Sequence, residues 1–379
     1  MNFELTEEQT MIRDAARDFA QRELIHDVIE RDTHAIYPTE HIKKLAELGF
    51  LGMLVDPKYD GGGMDTISYV LAMEEISKID SSVSVIISVN NSLVCFGIEA
   101  YGTEEQKEKY LKPLARGEKI GAFLLSEPEA GSDATSQRTT AEDKGDYYLL
   151  NGTKNWITNG SSASTYIVIA QTHPEKKHKG INCLLVDQHS PGISVGPHED
   201  KMGMRSSDTH SVMFNDVVVP KENRIGDDGF GFTFAMKTLE GGRIGIAAQA
   251  LGIASGAYER ALKYSKERKT FGTEIANHQS VAFKLADMAV KIENARNLCM
   301  KAAWLKDQNL PYGFASAMAK YYAAEIAMEV TTEAVQIHGG YGYVKEYHVE
   351  RLMRDAKLTQ IYEGTSEIQQ IIISREILK

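Results

Sequence analysis

The hydrophobic pattern of the chain changes twice, near residue 119 and near residue 226. Residues 1–118 and 227–379 carry apolar residues at helical spacing, whereas residues 119–226 hold short β-branched and aromatic runs between turn-forming pairs. A chain of 379 residues is long enough for two or three domains. We therefore predict an α+β fold, with an N-terminal helical domain, a small antiparallel β domain and a C-terminal helical bundle in these three segments.

Two capping boxes mark helix starts in the first segment. Thr6 precedes Gln9, and Thr103 precedes Gln106, in each case just before apolar residues at helical spacing. Residues 56–63 contain proline and three consecutive glycines, which predict a loop. Further helices are predicted within 244–264, 279–306 and 314–336.

The central segment lacks helical patterns between its apolar runs. Consecutive hairpins in an antiparallel barrel or sandwich are therefore favoured over a parallel sheet. The predicted strands are Tyr147–Leu150, Thr165–Ala170 and Ile181–Val186, and the predicted turns are the pairs 151–152, 159–160 and 191–192.

Composition excludes several classes of function. The net charge of −11 disfavours nucleic acid as a partner. Cys95, Cys183 and Cys299 are isolated, so no metal site is predicted and a reducing compartment is favoured. We find neither a signal peptide nor an apolar run of roughly 18 residues, and expect no membrane association. A bacterial cytoplasmic location is expected, and a processed organellar enzyme stays open.

The most suggestive chemical group is the carboxylate of Glu363, which stands among apolar and aromatic residues in Ile361–Thr365. Burial would raise its pKa toward neutrality, and the following Gly364 would let a ligand approach the backbone. The alternative is a surface glutamate before the last helix, with Thr365 as its cap. The chain has no strand-linked GxGxxG turn or P-loop, which disfavours a Rossmann dehydrogenase.

Six separated motifs resemble those of the acyl-CoA dehydrogenase family, most closely its short-chain and short-branched-chain (butyryl-CoA type) members. The motifs are LLSEPEAGSDA (124–134), KNWITNG (154–160), EGGRIGIAAQALG (240–252), ERKTFG (267–272), QIHGGYGYVKEY (336–347) and RDAKLTQIYEGTSEIQ (354–369). The resemblance covers essentially the whole chain. It implies a helical domain, a small β domain and a four-helix C-terminal bundle, in agreement with the order read from periodicity.

The resemblance implies that FAD binds between the β domain and the C-terminal bundle. Ser126 and Thr158 would donate hydrogen bonds to the flavin ring, and the fork of Arg268 would suit phosphate oxygens. By interior preference alone, Trp156 would belong to a core. The implied cofactor-binding residues are Phe123, Leu125, Ser126, Ser132, Trp156, Ile157, Thr158, Arg268, Phe271, Gln279, Gln336, Gly339, Gly340, Thr365 and Glu367. In the family, those that hold the pyrophosphate and adenosine come from a neighbouring subunit. His338 is expected to satisfy backbone groups.

By resemblance, Glu363 is the catalytic base. It would remove the α-proton of an acyl-CoA thioester while the β-hydrogen leaves as hydride to FAD, giving a trans-2-enoyl-CoA. Some relatives place the base just before the arginine of the motif at 240–252, where this chain has Gly242. Because glycine cannot act as a base, Glu363 is the only candidate that the resemblance supports.

Substrate contacts are implied for Ser132, Glu240, Arg243, Tyr362 and Gly364. For Glu240 and Arg243, a surface ion pair three residues apart is the alternative. Butyryl-CoA is the first expectation, as in fatty acid β-oxidation. The second is 2-methylbutyryl-CoA or isobutyryl-CoA, as in branched-chain amino acid degradation. The depth of the acyl pocket, set by residues such as 88–93 and the helix after residue 241, would decide between them.

The implied partners are electron-transferring flavoprotein and further copies of the chain in a homotetramer of two dimers. Acyl-CoA oxidases of the superfamily carry a longer C-terminal portion, so a dehydrogenase is favoured. A DNA-binding branch retains the flavin and adds a basic region that is not seen here, which makes that function a remote alternative.

Overall fold

The computed structural model describes residues 4–379 of the chain. Helices make up most of its N-terminal third. They are α1 (Glu7–Phe19), α2 (Val28–His34), α3 (Thr39–Glu47), α4 (Thr66–Ser77), α5 (Ser81–Ser88), α6 (Phe96–Tyr101), α7 (Glu104–Gln106) and α8 (Lys112–Ala115). Wider π-helical turns at Ala20–Leu24, Val89–Cys95 and Lys107–Leu111 extend or join these helices.

Both predicted capping boxes are present. The Thr6 hydroxyl accepts from the Gln9 backbone N–H at 3.1 Å, and the Gln9 side chain accepts from the Thr6 N–H at 3.0 Å. Thr103 and Gln106 repeat this reciprocal pair at the start of α7. Each box satisfies two of the backbone donors that a helix start leaves free.

The continuous helix Ser81–Tyr101 contains no uninterrupted apolar run of roughly 18 residues, but it is long and apolar enough on average to cross a membrane. This holds by length and composition alone, and 94% of its most apolar window is buried within the structure. Serine and asparagine interrupt its apolar residues, so a search for consecutive apolar positions does not find this helix. Asn90 shows how they are accommodated, because its side chain donates to the carbonyl of Leu51 at 2.8 Å.

The central segment forms one curled sheet whose strands lie in the order β1-β4-β2-β3-β7-β6, with β5 also paired to β4. The strands are β1 (Gly121–Leu124), β2 (Thr140–Asp143), β3 (Tyr147–Thr158), β4 (Thr165–Gln171), β5 (Ile181–Asp187), β6 (Ile193–Val195) and β7 (Thr209–Pro220). β1 and β2 each pair with β4 in parallel, and the remaining pairings are antiparallel. The parallel pairings join strands that are distant in sequence, so hairpin signals could not reveal them.

The predicted turn at Asn151-Gly152 is wrong, because these residues lie inside the long strand β3. The register with β7 shifts between Leu150 and Gly152, which marks a β-bulge. Gly152 has φ of 141°, and a Cβ there would lie 2.6 Å from the Cα of Thr139. The Asn-Gly pair therefore bends a strand here.

β4 is buried on both faces. Tyr166 and Val168 face the core inside the curled sheet, whereas Ile167 and Ile169 face the core shared with the helices. This arrangement explains why the sequence of β4 is continuously apolar, since alternate side chains point to opposite faces. The β region is thereby packed directly onto the helical regions.

The C-terminal region is helical apart from a short hairpin. Its helices are α9 (Gly231–Glu267), α10 (Gln279–Asp307), α11 (Gly313–His338), α12 (Val349–Thr359) and α13 (Ser366–Ile377), and its hairpin strands are β8 (Lys269–Thr270) and β9 (Thr273–Glu274). All three predicted helical stretches fall within α9, α10 and α11. The predicted fold class, helical then β then helical, is confirmed.

The long helix α9 lies against all three regions. Phe234 near its start stacks on Phe123 of β1, with ring centroids 6.5 Å apart. Further along α9, Gln249 donates to the carbonyl of Ser81 at the start of α5, at 2.8 Å. Gly242 and Arg243, which lie between these two contacts on α9, are beside the candidate site.

Candidate active site

Glu363 lies in the loop between α12 and α13, in a turn with two consecutive residues at positive φ. Glu363 has φ of 51° and Gly364 has φ of 91°. Glycine suits this conformation, but a glutamate there is uncommon and costs on the order of 1 kcal/mol or more. Thr365 then caps α13 by accepting from the Ile368 N–H at 3.3 Å. The cap expected at Thr365 is therefore present, while Glu363 points inward.

The carboxylate of Glu363 is buried at one oxygen. Its Oε2 has no hydrogen-bond partner within residues 4–379. Burial raises the pKa of Glu363 to about 7, while Lys320 and Arg243 nearby lower it. A carboxylate with a pKa near neutrality can accept a proton at physiological pH.

Gly242 on α9 provides the space that the Glu363 carboxylate occupies. A Cβ at residue 242 would lie 2.2 Å from Glu363 Oε2 and 2.8 Å from Leu93 Cδ2. The position that some relatives use for the base is thus directly beside Glu363. Even a methyl group at this position would displace the carboxylate.

Arg243 is buried, with only 7% of its surface exposed. Its Nε has no hydrogen-bond partner among residues 4–379. Burial lowers the pKa of Arg243, while Glu240 and Glu363 raise it. The alternative of a surface ion pair therefore does not hold, because this guanidinium faces the interior beside Glu363.

A buried polar layer beneath the site was not predicted from the sequence. The Tyr362 hydroxyl donates to Gln249 Oε1, and Gln249 Nε2 donates to Ser84 Oγ at 2.9 Å. The Tyr69 hydroxyl donates to Ser88 Oγ at 3.0 Å. No local pattern could have revealed this layer, since its members come from three helices and a loop.

The predicted flavin-facing segments of the β region are adjacent. Lys154 Nζ donates to the Leu125 carbonyl at 3.0 Å, and the Asn155 N–H donates to the Ser126 carbonyl at 2.9 Å. Trp156 follows with φ of 62° and is 61% exposed, so it is not a core residue in this chain. Partly exposed residues beside it are Phe123, Leu125, Ser126 and Thr158.

Ile157 and Ser132, which were also predicted to bind the cofactor, differ from these residues in their placement. Ile157 is 2% exposed and its side chain belongs to the β core, so only its backbone could face a cofactor. Ser132 lies exposed in the loop between β1 and β2. The sequence did not indicate the exposure of either residue, because Ser132 lies at the edge of its motif and Ile157 lies within a strand.

A surface groove of about 650 Å³ lies on the C-terminal region, and Glu363 is not among the residues that line it. Arg268, Gly339 and Gly340 line it, together with Tyr264 and Tyr341, which were not predicted. Cβ atoms at the two glycines would meet nothing within 4 Å, so a ligand can approach the backbone there. Arg268, Gln279, Gln336 and Glu367 are exposed.

Two aromatic side chains of this region, Phe271 and His338, differ in exposure. Phe271 sits at the tip of the hairpin with φ of 52° and is 98% exposed, which is unusual for so large an apolar side chain. His338 is buried, stacks on Tyr264 at 4.4 Å, and its Nδ1 bonds the Ala334 carbonyl at 2.7 Å. His338 thus has the backbone-satisfying position expected of it.

These features fit an extended cofactor with a flat aromatic ring and phosphates. Trp156 offers an uncovered aromatic face, and the groove offers Arg268 beside accessible glycine backbone. The two sets lie on different regions of the chain, the β region and the C-terminal helical region.

Comparison with known families agrees with this arrangement. Residues 6–118 match the N-terminal domain of acyl-CoA dehydrogenases, residues 122–217 the middle domain, and residues 229–378 the C-terminal domain. The chain therefore belongs to the acyl-CoA dehydrogenase family.

Individual relatives are similar over their full length. A short-chain specific acyl-CoA dehydrogenase of Clostridium acetobutylicum is 50% identical over 379 residues, which cover 100% of both chains. The butyryl-CoA dehydrogenase structure from Megasphaera elsdenii superposes with a TM-score of 0.98 at 49% identity, covering 100% of each chain. A chain from a structure concerned with the electron transferring flavoprotein of Acidaminococcus fermentans and flavin-based electron bifurcation superposes with a TM-score of 0.99 at 51% identity, again over 100% of each.

Proposed function

We propose that the chain is an FAD-dependent short-chain acyl-CoA dehydrogenase that converts butyryl-CoA to its trans-2-enoyl-CoA and passes the electrons to electron-transferring flavoprotein. The observation that carries the proposal is the Glu363 carboxylate, partly buried beside Gly242 with a pKa of about 7. The similarity to short-chain specific and butyryl-CoA dehydrogenases at about half identity supports the substrate class.

Glu363 acts as the base for the α-proton of the thioester. Its unpaired Oε2 is free to accept that proton, and its pKa keeps a large fraction ionised near pH 7. Bound FAD supplies the acceptor for the β-hydrogen, which leaves as a hydride, so that the substrate loses one proton and one hydride in total. The backbone N–H of Glu363 holds the thioester oxygen and stabilises the charge that develops there.

Substrate contacts are proposed for residues on either side of the base. Arg243 and Glu240 approach the ligand from α9, and Tyr362 and Gly364 flank Glu363 in the same turn. Ser132 contributes from the exposed loop after β1. Because Tyr362 is held by Gln249, its backbone and that of Glu363 are fixed before the substrate arrives.

FAD is proposed to bind across two subunits. One subunit provides Phe123, Leu125, Ser126, Ser132, Trp156, the Ile157 backbone, Thr158, Thr365 and Glu367, and the neighbouring subunit provides Arg268, Phe271, Gln279, Gln336, Gly339 and Gly340. The exposed Phe271 supports this division, since its own chain leaves it uncovered.

A homotetramer is proposed on the basis of uncovered apolar residues. Phe283, Val290 and Trp304 are exposed at intervals of seven and fourteen residues on α10, so they share one helix face. Burial of this face in the assembly would stabilise both the oligomer and FAD binding. Light scattering of the yellow protein should give four times the mass of the chain, and a FAD-loaded monomer would contradict the shared site.

A short branched-chain substrate, 2-methylbutyryl-CoA or isobutyryl-CoA, is the alternative. It would enter the same pocket and use the same base, so it differs only in the width of the acyl site. Similarity to a caffeyl-CoA reductase-Etf complex subunit of Acetobacterium woodii, 47% identical over 375 residues, supports electron exchange with electron-transferring flavoprotein.

The proposal is tested by anaerobic bleaching of the flavin absorbance. Butyryl-, 2-methylbutyryl-, isobutyryl- and octanoyl-CoA are each mixed with the purified yellow protein, and the rate and extent of bleaching are measured. Fastest bleaching by butyryl-CoA is expected. If no acyl-CoA bleaches a bound flavin, the function is refuted; rapid peroxide formation in air would instead favour an oxidase.

A further inference from the structure

Lys320 is a fully buried lysine beside the catalytic turn. It lies on α11 with 0% of its surface exposed, and its Nζ donates to the carbonyl of Gly364 at 2.7 Å. A buried ammonium group loses the solvation it has in water, so it persists only where hydrogen bonds and negative charge offset that loss. Its presence next to Glu363 therefore calls for a specific partner, and the Glu363–Gly364 turn provides one.

Two buried side chains, Lys320 and Gln369, donate hydrogen bonds to the Gly364 carbonyl and thereby hold the turn in place. Besides Lys320, Gln369 Nε2 donates to the Gly364 carbonyl at 2.9 Å, and it reaches the Glu363 carbonyl at 3.3 Å. Gln369 is also fully buried. A glutamate at positive φ is unfavourable unless surrounding contacts fix it, and these hydrogen bonds supply such contacts for Glu363.

Lys320 differs from Gln369 in carrying a charge. The groups that act electrostatically on Glu363 are Lys320 from α11 and Arg243 from α9, and Glu363 in turn acts on Tyr69 from α4 and its neighbour Tyr362. Glu325 and Glu367 act in turn on Lys320. Two cations thus act electrostatically on the Glu363 carboxylate. Arg243 is proposed to contact the substrate, whereas the ammonium of Lys320 is already engaged by the Gly364 carbonyl.

We propose that Lys320 is a positioning residue for the reaction: it fixes the Glu363–Gly364 turn through the Gly364 carbonyl and stabilises the negative charge of the Glu363 carboxylate. The inference rests on the proposed role of Glu363 as base. Lys320 thereby gives α11 an electrostatic function beside Glu363, next to polar residues from α4, α5, α9, α13 and the loop before α13.

The acid–base properties of the pair support this role. Burial lowers the pKa of Lys320 to about 8, and burial raises that of Glu363 to about 7. Between these two values the pair is a carboxylate and an ammonium, which is the state needed for proton abstraction. Removing the ammonium should raise the pKa of Glu363, because an opposite charge nearby favours the ionised form.

The decisive variant is Lys320→Met, with Gln369→Leu as the matched control. Both lose one hydrogen bond to the Gly364 carbonyl, but only Lys320→Met loses a charge. The measurement is kcat/KM for butyryl-CoA against pH, whose acid limb reports ionisation of the free enzyme. We expect the limb of Lys320→Met to move up by about one pH unit, which alone lowers activity at pH 7 roughly fivefold; near pH 9 activity should rise again, up to the lower maximum that results from the lost hydrogen bond.

The control should lose activity without a change in the limb. If Lys320→Met has a wild-type limb, or if Gln369→Leu moves it equally, Lys320 has only a structural role and the proposal is overturned. Lys320→Gln, whose amide can still donate a hydrogen bond, provides the same test if Lys320→Met does not fold. It should show the shifted limb with a smaller loss of maximal activity.

A second readout does not depend on turnover. The infrared band of the protonated Glu363 carboxyl, assigned by its loss in Glu363→Gln, is titrated in the wild type and in Lys320→Met. We expect the protonated band to persist to higher pH in Lys320→Met, and an unchanged titration would overturn the inference. A wild-type protein that oxidises no acyl-CoA would refute the proposed function, while this titration would still decide the effect of Lys320 on Glu363.

Discussion

Substituting Gly242 with alanine should separate catalysis from stability. The added methyl carbon would lie 2.2 Å from Glu363 Oε2, whereas ordinary van der Waals contact begins at 3.4 Å. The difference, 3.4 − 2.2, requires the carboxylate to move by about 1.2 Å. Because the carboxylate is the end of a flexible side chain, it can move without unfolding the protein, but it then leaves the position for proton abstraction.

A displacement of about 1 Å from productive geometry can lower the rate by about 100-fold. We therefore expect Gly242→Ala to lower the rate of flavin bleaching by butyryl-CoA by about two orders of magnitude. The FAD content should be unchanged, since the substitution contacts Glu363 and Leu93 and not the proposed FAD residues. Stopped-flow absorbance under anaerobic conditions measures the rate.

The adjacent Gly241 provides the control. Its added Cβ would come no closer than 3.7 Å to any neighbour, the nearest being Lys306 Nζ. Gly241→Ala should keep wild-type activity and stabilise α9 by about 0.5–1 kcal/mol, because glycine inside a helix is unfavourable relative to alanine. Full activity in Gly242→Ala, or an equal loss in both variants, would refute the placement of Glu363.

Three further substitutions test the ionisation of Glu363, the substrate contact of Arg243 and the dependence of FAD binding on Lys154. Glu363→Gln should stabilise the folded protein above pH 7 by up to about 3 kcal/mol and have little effect near pH 4. The sign follows because the folded state binds more protons than the unfolded state between pH 4.5 and about 7, so wild-type stability falls as pH rises through that range; equal denaturation midpoints at pH 8 would contradict it. Arg243→Ala should raise KM for butyryl-CoA at least tenfold while FAD is retained, and an unchanged KM would remove this residue from the substrate site. Lys154→Met should weaken FAD binding, measured by equilibrium dialysis, because the Leu125 carbonyl and the neighbouring Glu127 lose their buried partner; wild-type affinity would show that this loop does not depend on Lys154.

The sequence predicted the elements whose signals are local. The capping boxes at Thr6 and Thr103, the three long C-terminal helices and the apolar strands β4 and β5 all arise from short-range patterns. The parallel pairing of β1 with β4 was missed because it depends on contacts across the sheet. The Asn151-Gly152 pair was misassigned because the same residues favour a hairpin turn and a bulge.

The candidate site was predictable only in part, for a related physical reason. The sequence indicated Glu363 through its apolar neighbours, and the family resemblance supplied its role. Burial of the charges around it depends on tertiary packing: Lys320 lies 43 residues before Glu363 and resembles any helical lysine in sequence, yet it is fully buried. Gln249 and Tyr69 likewise join the site only because α4, α9 and the loop before α13 meet there.

We propose Glu363 as the base that starts acyl-CoA oxidation. The most direct test compares the wild type and Glu363→Gln, both loaded with FAD, on anaerobic mixing with butyryl-CoA. We expect rapid loss of flavin absorbance in the wild type. In Glu363→Gln the rate should be at least about a thousandfold lower, on the order of the contribution of general-base catalysis, with unchanged FAD content. Bleaching of the variant at a rate close to that of the wild type would contradict the role of Glu363 as the base.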